Sequence, residues 1–463
     1  MTAPHGAGVV VCGAGIAGLA TAWHLAVRRG VADVVIVDDQ PPLTVTSDKS
    51  TECYRNWWPD RPMVELMNRS IELFDELAAA SGNAFALNRN GYLFATASRA
   101  GAAALEREAR AIAAGGAGPL RVHPGGPGGA PWVEPRWDRP EATADGADLF
   151  LDAGEIRRRF PVLAADTVAA LHTRRCGWLS AQQLGMLLLE QALAAGARRF
   201  EGRVVGVELA DGAVVAVRVA RGAGAPVERI ATPAFADAGG PWAGEVARLA
   251  GVELPLLHEL HCKVFFDDER RVLPRELPLV CWRDPVTVDW SPEEREGLAE
   301  DPATRALLDE LPAGVHFRPE GGRESRSAIL LWNYHCDPVE ARFPISIDPL
   351  HFQVVLRGVA RAAPAFAVYQ AGGRVPYVDG GYYTKTRENR PLIGPLDPEG
   401  ARGAVVVGAL SGFGIMAAPA AGELAAAYLA GDPVPPWAAA FRLERYDDPA
   451  YRAALLASAS GQL

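Results

Sequence analysis

A chain of 463 residues, 49% hydrophobic and 22% charged, carries enough apolar side chains to bury large cores in two or three domain-sized units. Its 46 Lys and Arg against 56 Asp and Glu leave a formal charge of -10, which repels phosphate backbones, so a nucleic-acid partner is not expected. The six cysteines (Cys12, Cys53, Cys176, Cys262, Cys281 and Cys336) form no CxxC pair, and no His cluster has zinc-finger spacing, so they read as reduced packing thiols and no metal is expected.

The first apolar run, near residue 9, follows no Lys or Arg and is broken by Gly13, Gly15 and Gly18. Nowhere do about 18 to 20 apolar residues run unbroken, so neither a signal peptide nor a membrane span is expected, and a cytoplasmic location is. VVVC, then GAGIAG, LATAWHLAVRRG and DVVIVDD predict strand, glycine turn, helix and strand, one βαβ crossover. The helix should run from about Ala14 to Arg29 and stop at Gly30, with Arg28 and Arg29 in the last turn where cations suit the dipole. A polar segment, TVTSDKSTECYRNWWPDRP, precedes a helical stretch from Met63 to Ala80, and Asn90-Gly91 between FALN and YLFA predicts a tight hairpin turn. From Ala114 to about Ala147 the composition shifts toward Gly and Pro without an apolar period, which predicts a surface insertion or a mobile lid.

From Leu151 the chain predicts helix (LDAGEIRRRFPVL), helix (AQQLGMLLLEQALAAG) and hairpin (VVGVELADGAVVAVRV). RIATPAFADAGGPWAGEVARLAG then predicts a strand running into a second glycine turn and helix, and two such turns imply a doubly wound sheet. Residues 258 to 376 hold strands (HCKVFF, AILLWNY) and an excursion opened by Ser291, whose Glu294 three residues on is a capping-box signature. The chain ends in strand (AVVVGA), glycine turn (LSGFG) and helix (PAAGELAAAYLAG); Glu423 and Tyr428 mark that helix as a packed soluble one.

Chemistry enters with the first glycine turn. Gly13 permits the tight turn, Gly15 lets the backbone approach a pyrophosphate, and Gly18 lets helix pack on strand, while the helix start offers N–H groups and positive potential. Asp38, 25 residues past Gly13 at the end of the second strand, suits a ribose diol and argues against a 2′-phosphate, hence against NADP. The alternative is a crossover whose glycines are structural only.

Four stretches in order, GAGIAGLATAWHLA, TSDKSTECYR, ADAGGPWAGEVARLAG, and GGYYTKTRENRPLIGP with VVVGALSGFGIMAAPAAGELAA, resemble the FAD-dependent amine and amino-acid oxidoreductases, the family of D-amino-acid oxidase, glycine oxidase and monomeric sarcosine oxidase. The resemblance spans nearly the whole chain. It implies an α/β fold: a Rossmann-type doubly wound FAD-binding domain (1–88, 151–254 and 378–463) with a second, mostly antiparallel-sheet substrate domain (89–150 and 255–377). It implies FAD contacts at Gly13, Gly15, Ile16, Ala17, Gly18, Asp38, Asp39, Ser47, Ser50, Thr51, Val204, Gly239, Trp242, Ser411, Gly412, Phe413, Gly414, Ile415 and Met416. The turn at 411–414 would donate N–H groups to the flavin edge, where a helix start stabilises the negative charge of reduced flavin.

Arg55 matches the family's basic residue on the substrate side. With Trp57 and Trp58 beside it, it can bind a carboxylate bidentately while an indole face packs on an alkyl-ammonium group. The alternative is a surface ion pair at Arg55 with two core indoles. His335 and Tyr383 complete the expected catalytic set; a neutral imidazole at His335 would take a proton from a substrate ammonium, since the free amine gives up hydride readily. The bland reading of His335 is a hydrogen-bonded structural histidine. His258, His261 and Lys263 form a second polar cluster that lacks carboxylates for a metal.

Three positions depart from sarcosine oxidases. Gly381 stands where a cysteine bonds the flavin, so FAD should be non-covalent; Met416 replaces a carboxylate-binding lysine; and Leu331 replaces a lysine tied to oxygen reduction, leaving oxygen or an electron carrier open as acceptor. The expected reaction is oxidation of a C–N bond in a small amine or amino acid by hydride transfer, giving an imine. Its rivals are C–O oxidation, as in 2-hydroxyacid or glycerol-phosphate dehydrogenases, a non-catalytic flavin-binding subunit, and aromatic hydroxylation.

Overall fold

Short runs of Val, Ile and Ala that are apolar on both faces are what a buried parallel strand needs, and here they build the centre of a six-stranded sheet. The computed structural model of the chain describes residues 6–126, 131–135, 144–222, 224–335, 337–370 and 376–457. Val9–Cys12 lies centrally, parallel to Val34–Asp38 on one side and Phe235–Asp237 on the other. Arg198–Glu201 and Ala404–Gly408 extend the sheet in parallel, and Leu392–Pro395 adds an antiparallel edge. Alternate side chains enter two cores. Val9, Val11, Val34 and Ile36 meet the helices Ile16–Trp23, Arg61–Ser81, Ala181–Ala194 and Gly414–Ala430. Val10, Val35 and Val37 meet a three-stranded sheet (Arg203–Ala210, Ala213–Ala220, Val227–Ala231) and the helix Ala243–Arg248.

The second layer is a nine-stranded, mostly antiparallel sheet. Its order is Tyr377–Lys385, Leu257–Asp267, Ser327–Leu331, Val315–Pro319, Leu279–Trp282, Tyr92–Thr96, Ala169–Thr173, Ala147–Phe150 and Leu120–His123. Side chains alternate across a sheet, so the register sorts them into two faces. One row, Val264, Leu330, Phe317, Val280 and Leu93, is fully buried beneath the helix His351–Ala362. The neighbouring row on the other face, Lys263, Leu331, His316, Cys281 and Phe94, is mixed and faces the first domain's loops.

Four expectations change. The α-helix ends at Trp23, and the predicted last turns continue as the π-helical turn His24–Arg28. Asn90-Gly91 makes no hairpin: residues 84–88 are not a strand, and Tyr92–Thr96 pairs instead with Leu279–Trp282 and Ala169–Thr173, because long-range burial outweighs the local turn signal. Within the Gly/Pro-rich 114–147 stretch, Leu120–His123 is the edge strand of the large sheet, and Trp132 packs on Phe150, Phe160 and His172 beneath Arg159. Residues 127–130 and 136–143 of it lie outside the described residues. His258 parts from His261 and Lys263 because odd and even positions of one strand face opposite ways; its ring bonds Thr384 at 3.0 Å. The Ser291 capping box is present, with Ser291 and Glu294 each holding the other's backbone N–H.

Candidate active site

A cleft of two adjoining lobes opens along the first glycine turn, the smaller one reaching the nine-stranded sheet at Gly381–Thr384. The larger lobe lies over the first glycine turn. Gly13 holds a φ of +107° that L side chains rarely adopt, and a Cβ there would overlap the Ala238 carbonyl. Gly18 lies against the Gly13 carbonyl, so helix and strand close only without a side chain. Gly15 starts the helix and offers no side-chain cap, which leaves N–H groups of the first turn for an anion. The Ser47 hydroxyl accepts from Ile16 N at 3.0 Å and so ties the next loop to this turn.

Asp38 closes the lobe. Its carboxylate accepts from Ala14 N at 2.6 Å and Gln40 N at 2.8 Å; burial raises its pKa while those donors oppose the rise. A carboxylate has about four acceptor positions, so two stay open to a ribose diol. Asp39, Val204, Gly239 and Trp242 also line this lobe. Asp39 pairs with Arg203 at 2.8 Å on the surface, where such a pair contributes little. Beneath the turn lies Asp237, fully buried, with Oδ1 accepting from Gly239 N at 3.0 Å and Oδ2 unpartnered. Burial pushes its pKa up to about 8.

The smaller lobe is lined by Ile16, Ala17, Ser47, Ser50, Tyr383, Ser411, Gly412, Gly414 and Ile415. Its floor loop is pinned from the large sheet: Lys263 donates to Ser50 O at 2.7 Å and Asp48 O at 3.2 Å, and the buried Arg318 donates to Thr51 O at 2.8 Å. Burial lowers the Lys263 pKa, against the pull of Glu52, Asp379 and Asp48. At the far wall Ser411 N donates to Thr384 O at 2.9 Å, and Gly412 lies so close to the Tyr383 ring that a Cβ would overlap it. The helix Gly414–Ala430 then starts without a side-chain cap and so presents its positive end to the lobe.

Among the expected cofactor residues, Gly18, Thr51, Phe413 and Met416 do not line the cleft. Gly18 shapes the turn, Thr51 lends its carbonyl to Arg318, Phe413 packs edge-on to Trp58 with ring centroids 5.4 Å apart, and Met416 is in the core. Arg55 follows the floor loop. Its guanidinium has no hydrogen-bond or ion-pair partner among the described residues, and its Nε is buried. The guanidinium carbon stands 4.3 Å from the Trp58 ring centroid, 5.7 Å from Tyr92 and 5.9 Å from Phe94. Trp57 is buried with an unpartnered indole N–H. His335 is exposed, four residues past the end of its strand, with its ring 4.4 Å from Tyr334.

Tyr383 stacks on His261 at 3.5 Å, and His261 Nε2 bonds Glu259 at 3.1 Å. Glu259 bonds the buried Lys385 at 3.0 Å; against the effect of burial, His261 and Lys385 hold its carboxyl below the usual range. The titratable groups that sequence reasoning missed, Asp237, His316 and Arg318, lie on strands whose partners are remote in sequence. Only strict two-residue alternation along HELHCKVFF hinted that His261 and Lys263 share a face.

A profile of FAD dependent oxidoreductases matches residues 8–428. The chain belongs to that family. FAD fits the residues present: an uncapped helix start, a carboxylate with open acceptor positions, and two adjoining lobes that share Gly15, Ser47 and Ala238. Three similar folds in solved structures are L-proline dehydrogenase from P. horikoshii (TM-score 0.71, 18% identity, 96% of this chain and 99% of that one), glycine oxidase from Geobacillus kaustophilus (0.70, 18%, 96% and 99%), and L-amino acid deaminase from Proteus vulgaris (0.69, 16%, 96% and 98%). No curated protein sequence matches the chain. This oxidoreductase has, among its described residues, no helix long and apolar enough to cross a membrane and no His, Cys, Asp and Glu group fit to hold a metal ion.

Proposed function

We propose that this FAD-dependent oxidoreductase oxidises a C–N bond of a small amino acid or amine to an imine. The observation that carries this reading is Arg55: a guanidinium without an anionic partner among the described residues, set over an indole face beside the flavin-side loop. Leaving such a charge unpaired costs stability, and a substrate carboxylate repays it with a bidentate pair. Trp58 and Phe94 then give an apolar surface for the rest of the substrate. The names of the three similar folds, a proline dehydrogenase, a glycine oxidase and an amino acid deaminase, agree with that class.

Bound FAD supplies the acceptor for the substrate hydride. Asp38 would hold the ribose, the turn at Gly13–Ala17 the pyrophosphate, and Ser47, Ser50 and the turn at Ser411–Gly414 the flavin, with the helix start at Gly414 favouring the negative charge of its reduced form. Tyr383, against that turn, walls the substrate space. Cofactor attachment is non-covalent: Gly381 offers no nucleophile, and no cysteine or histidine lines the smaller lobe. The electrons leave to oxygen or a carrier, and the protein works in the cytoplasm.

Anaerobic mixing of the FAD-loaded protein with L-proline, glycine, L-leucine and L-phenylalanine, and in parallel with 2-hydroxyacids, tests the reading. Loss of the oxidised flavin absorbance with an amino acid supports it. Bleaching by hydroxyacids alone overturns it.

A further inference from the structure

Resting on that amino-acid reading, the sheet register brings one more group to the same place. His316 pairs with Cys281 on one side and Leu331 on the other, and Cys281 pairs with Phe94, over whose ring the Arg55 guanidinium stands. His316 and Phe94 thus share the polar face of the large sheet, two strands or about 10 Å apart between backbones, and the Arg55 guanidinium, carried by the separate short strand Cys53–Arg55, stands 5.9 Å from the Phe94 ring on that face.

The His316 ring is oriented by its own strand. Nδ1 lies 2.8 Å from the Gly314 carbonyl, and a carbonyl can only accept, so Nδ1 carries the hydrogen. In the neutral ring Nε2 is then a bare lone pair. The titratable and charged groups around the ring are Arg55 at the end of the strand Cys53–Arg55, His261 and Lys263 on the strand beyond Leu331, and Cys281 alongside. Burial, then the His261 and Arg55 charges, push the His316 pKa down to about 4, against the opposing bond to Gly314. At neutral pH the ring keeps its Nδ1 hydrogen, and Nε2 carries no proton and can accept a hydrogen bond.

We propose that His316 Nε2 receives an N–H of the substrate amine while Arg55 holds the carboxylate, so that the site selects an amino acid in its free-amine form. The ammonium proton passes to solvent on binding; no bond to His316 forms beyond the hydrogen bond. The Cα–H bond breaks with its electron pair leaving to the flavin, and the nitrogen lone pair forms the C=N bond of the iminium product. His316 fills the acceptor position assigned by sequence to His335, which is exposed past the strand end.

The test follows anaerobic flavin reduction by whichever of L-proline, glycine, L-leucine or L-phenylalanine bleaches the wild type, from about pH 6 to about pH 10, the range that spans amine ionisation. The apparent second-order constant should rise with loss of the substrate ammonium proton and show no histidine step. His316→Leu should lower it about 10- to 100-fold at unchanged FAD content, the size of one lost buried hydrogen bond. His316→Gln, whose side-chain carbonyl also accepts, should recover most of it. Binding of 2-aminoisobutyrate, which has no α-hydrogen, should weaken in the Leu variant, read as a flavin spectral shift. A Leu variant as fast as wild type overturns the assignment and leaves the amino-acid reading standing. Bleaching by hydroxyacids alone removes both. If the Leu variant does not fold, the histidine 15N spectrum of the wild type decides: an unprotonated Nε2 that moves on adding 2-aminoisobutyrate supports the assignment, and a protonated or unmoved one overturns it.

Discussion

The two ends of the cleft hold their ligands by different means. At the dinucleotide end the binding groups are backbone N–H groups and one carboxylate, set by a turn between adjacent strands. At the other end the proposed binding groups, Arg55 and His316, are side chains from separate strands, and Lys263 and Arg318 pin the floor loop between the sheets. A backbone cradle is rigid and common to any dinucleotide, whereas a side-chain constellation can be altered one residue at a time. In the proposed function the first end therefore fixes the cofactor, and the second carries the chemistry that distinguishes substrates.

Damage to the cradle should have the largest effect. In Gly18→Val the new side chain meets the Gly13 carbonyl, so helix and strand must part. The expected outcome is loss of nearly all bound flavin together with a lowered Tm, measured as absorbance per protein and by thermal unfolding. Full flavin content would show that the turn tolerates separation and would break the contrast. Arg55→Lys tests the other end. A point charge cannot reproduce the planar fork, so KM for the bleaching amino acid should rise about 100-fold with flavin content unchanged. An unchanged KM removes Arg55 as the anchor.

The same contrast explains what the sequence disclosed. Gly13, Gly15, Gly18 and Asp38 sit within one βαβ unit, where chain spacing is spatial spacing, so the cradle was legible without a structure. The alternating strands were legible too, because a two-residue period follows from the pleat. His316 was not, because its neighbours Cys281, Leu331 and Arg55 are set by register among strands that loops of unpredictable length connect. Asn90-Gly91 misled for a related reason: its flanking residues obey the large sheet instead of each other. His335 is exposed four residues past the strand end at Leu331, where no sheet register orients its ring.

Asp38→Ala sharpens the first end. Its carboxylate serves both the turn, through Ala14 N, and the expected ribose diol, so FAD affinity should fall about tenfold, measured by titrating apoprotein with FAD. That loss is smaller than for Gly18→Val because the N–H groups and the cleft walls remain. Unchanged affinity would remove Asp38 from the ribose site.

The smallest effect concerns Asp237, the buried carboxyl under the same turn. Its folded pKa is near 8, well above that of an unfolded Asp, because burial disfavours the charged form. Below the unfolded pKa of about 3.9 both states are protonated and the group is neutral toward stability. As pH rises from there toward about 8, the unfolded chain loses the proton and the folded one keeps it, so the folded state is progressively disfavoured. Asp237→Asn keeps the shape and an amide carbonyl that accepts from Gly239 N but cannot ionise. It should match the wild type near pH 4 and exceed its stability by at least about 1 kcal/mol near pH 8, read from urea unfolding. Equal stability across that range would mean that Asp237 is ionised in the fold, and that the cradle holds a negative charge beneath the pyrophosphate.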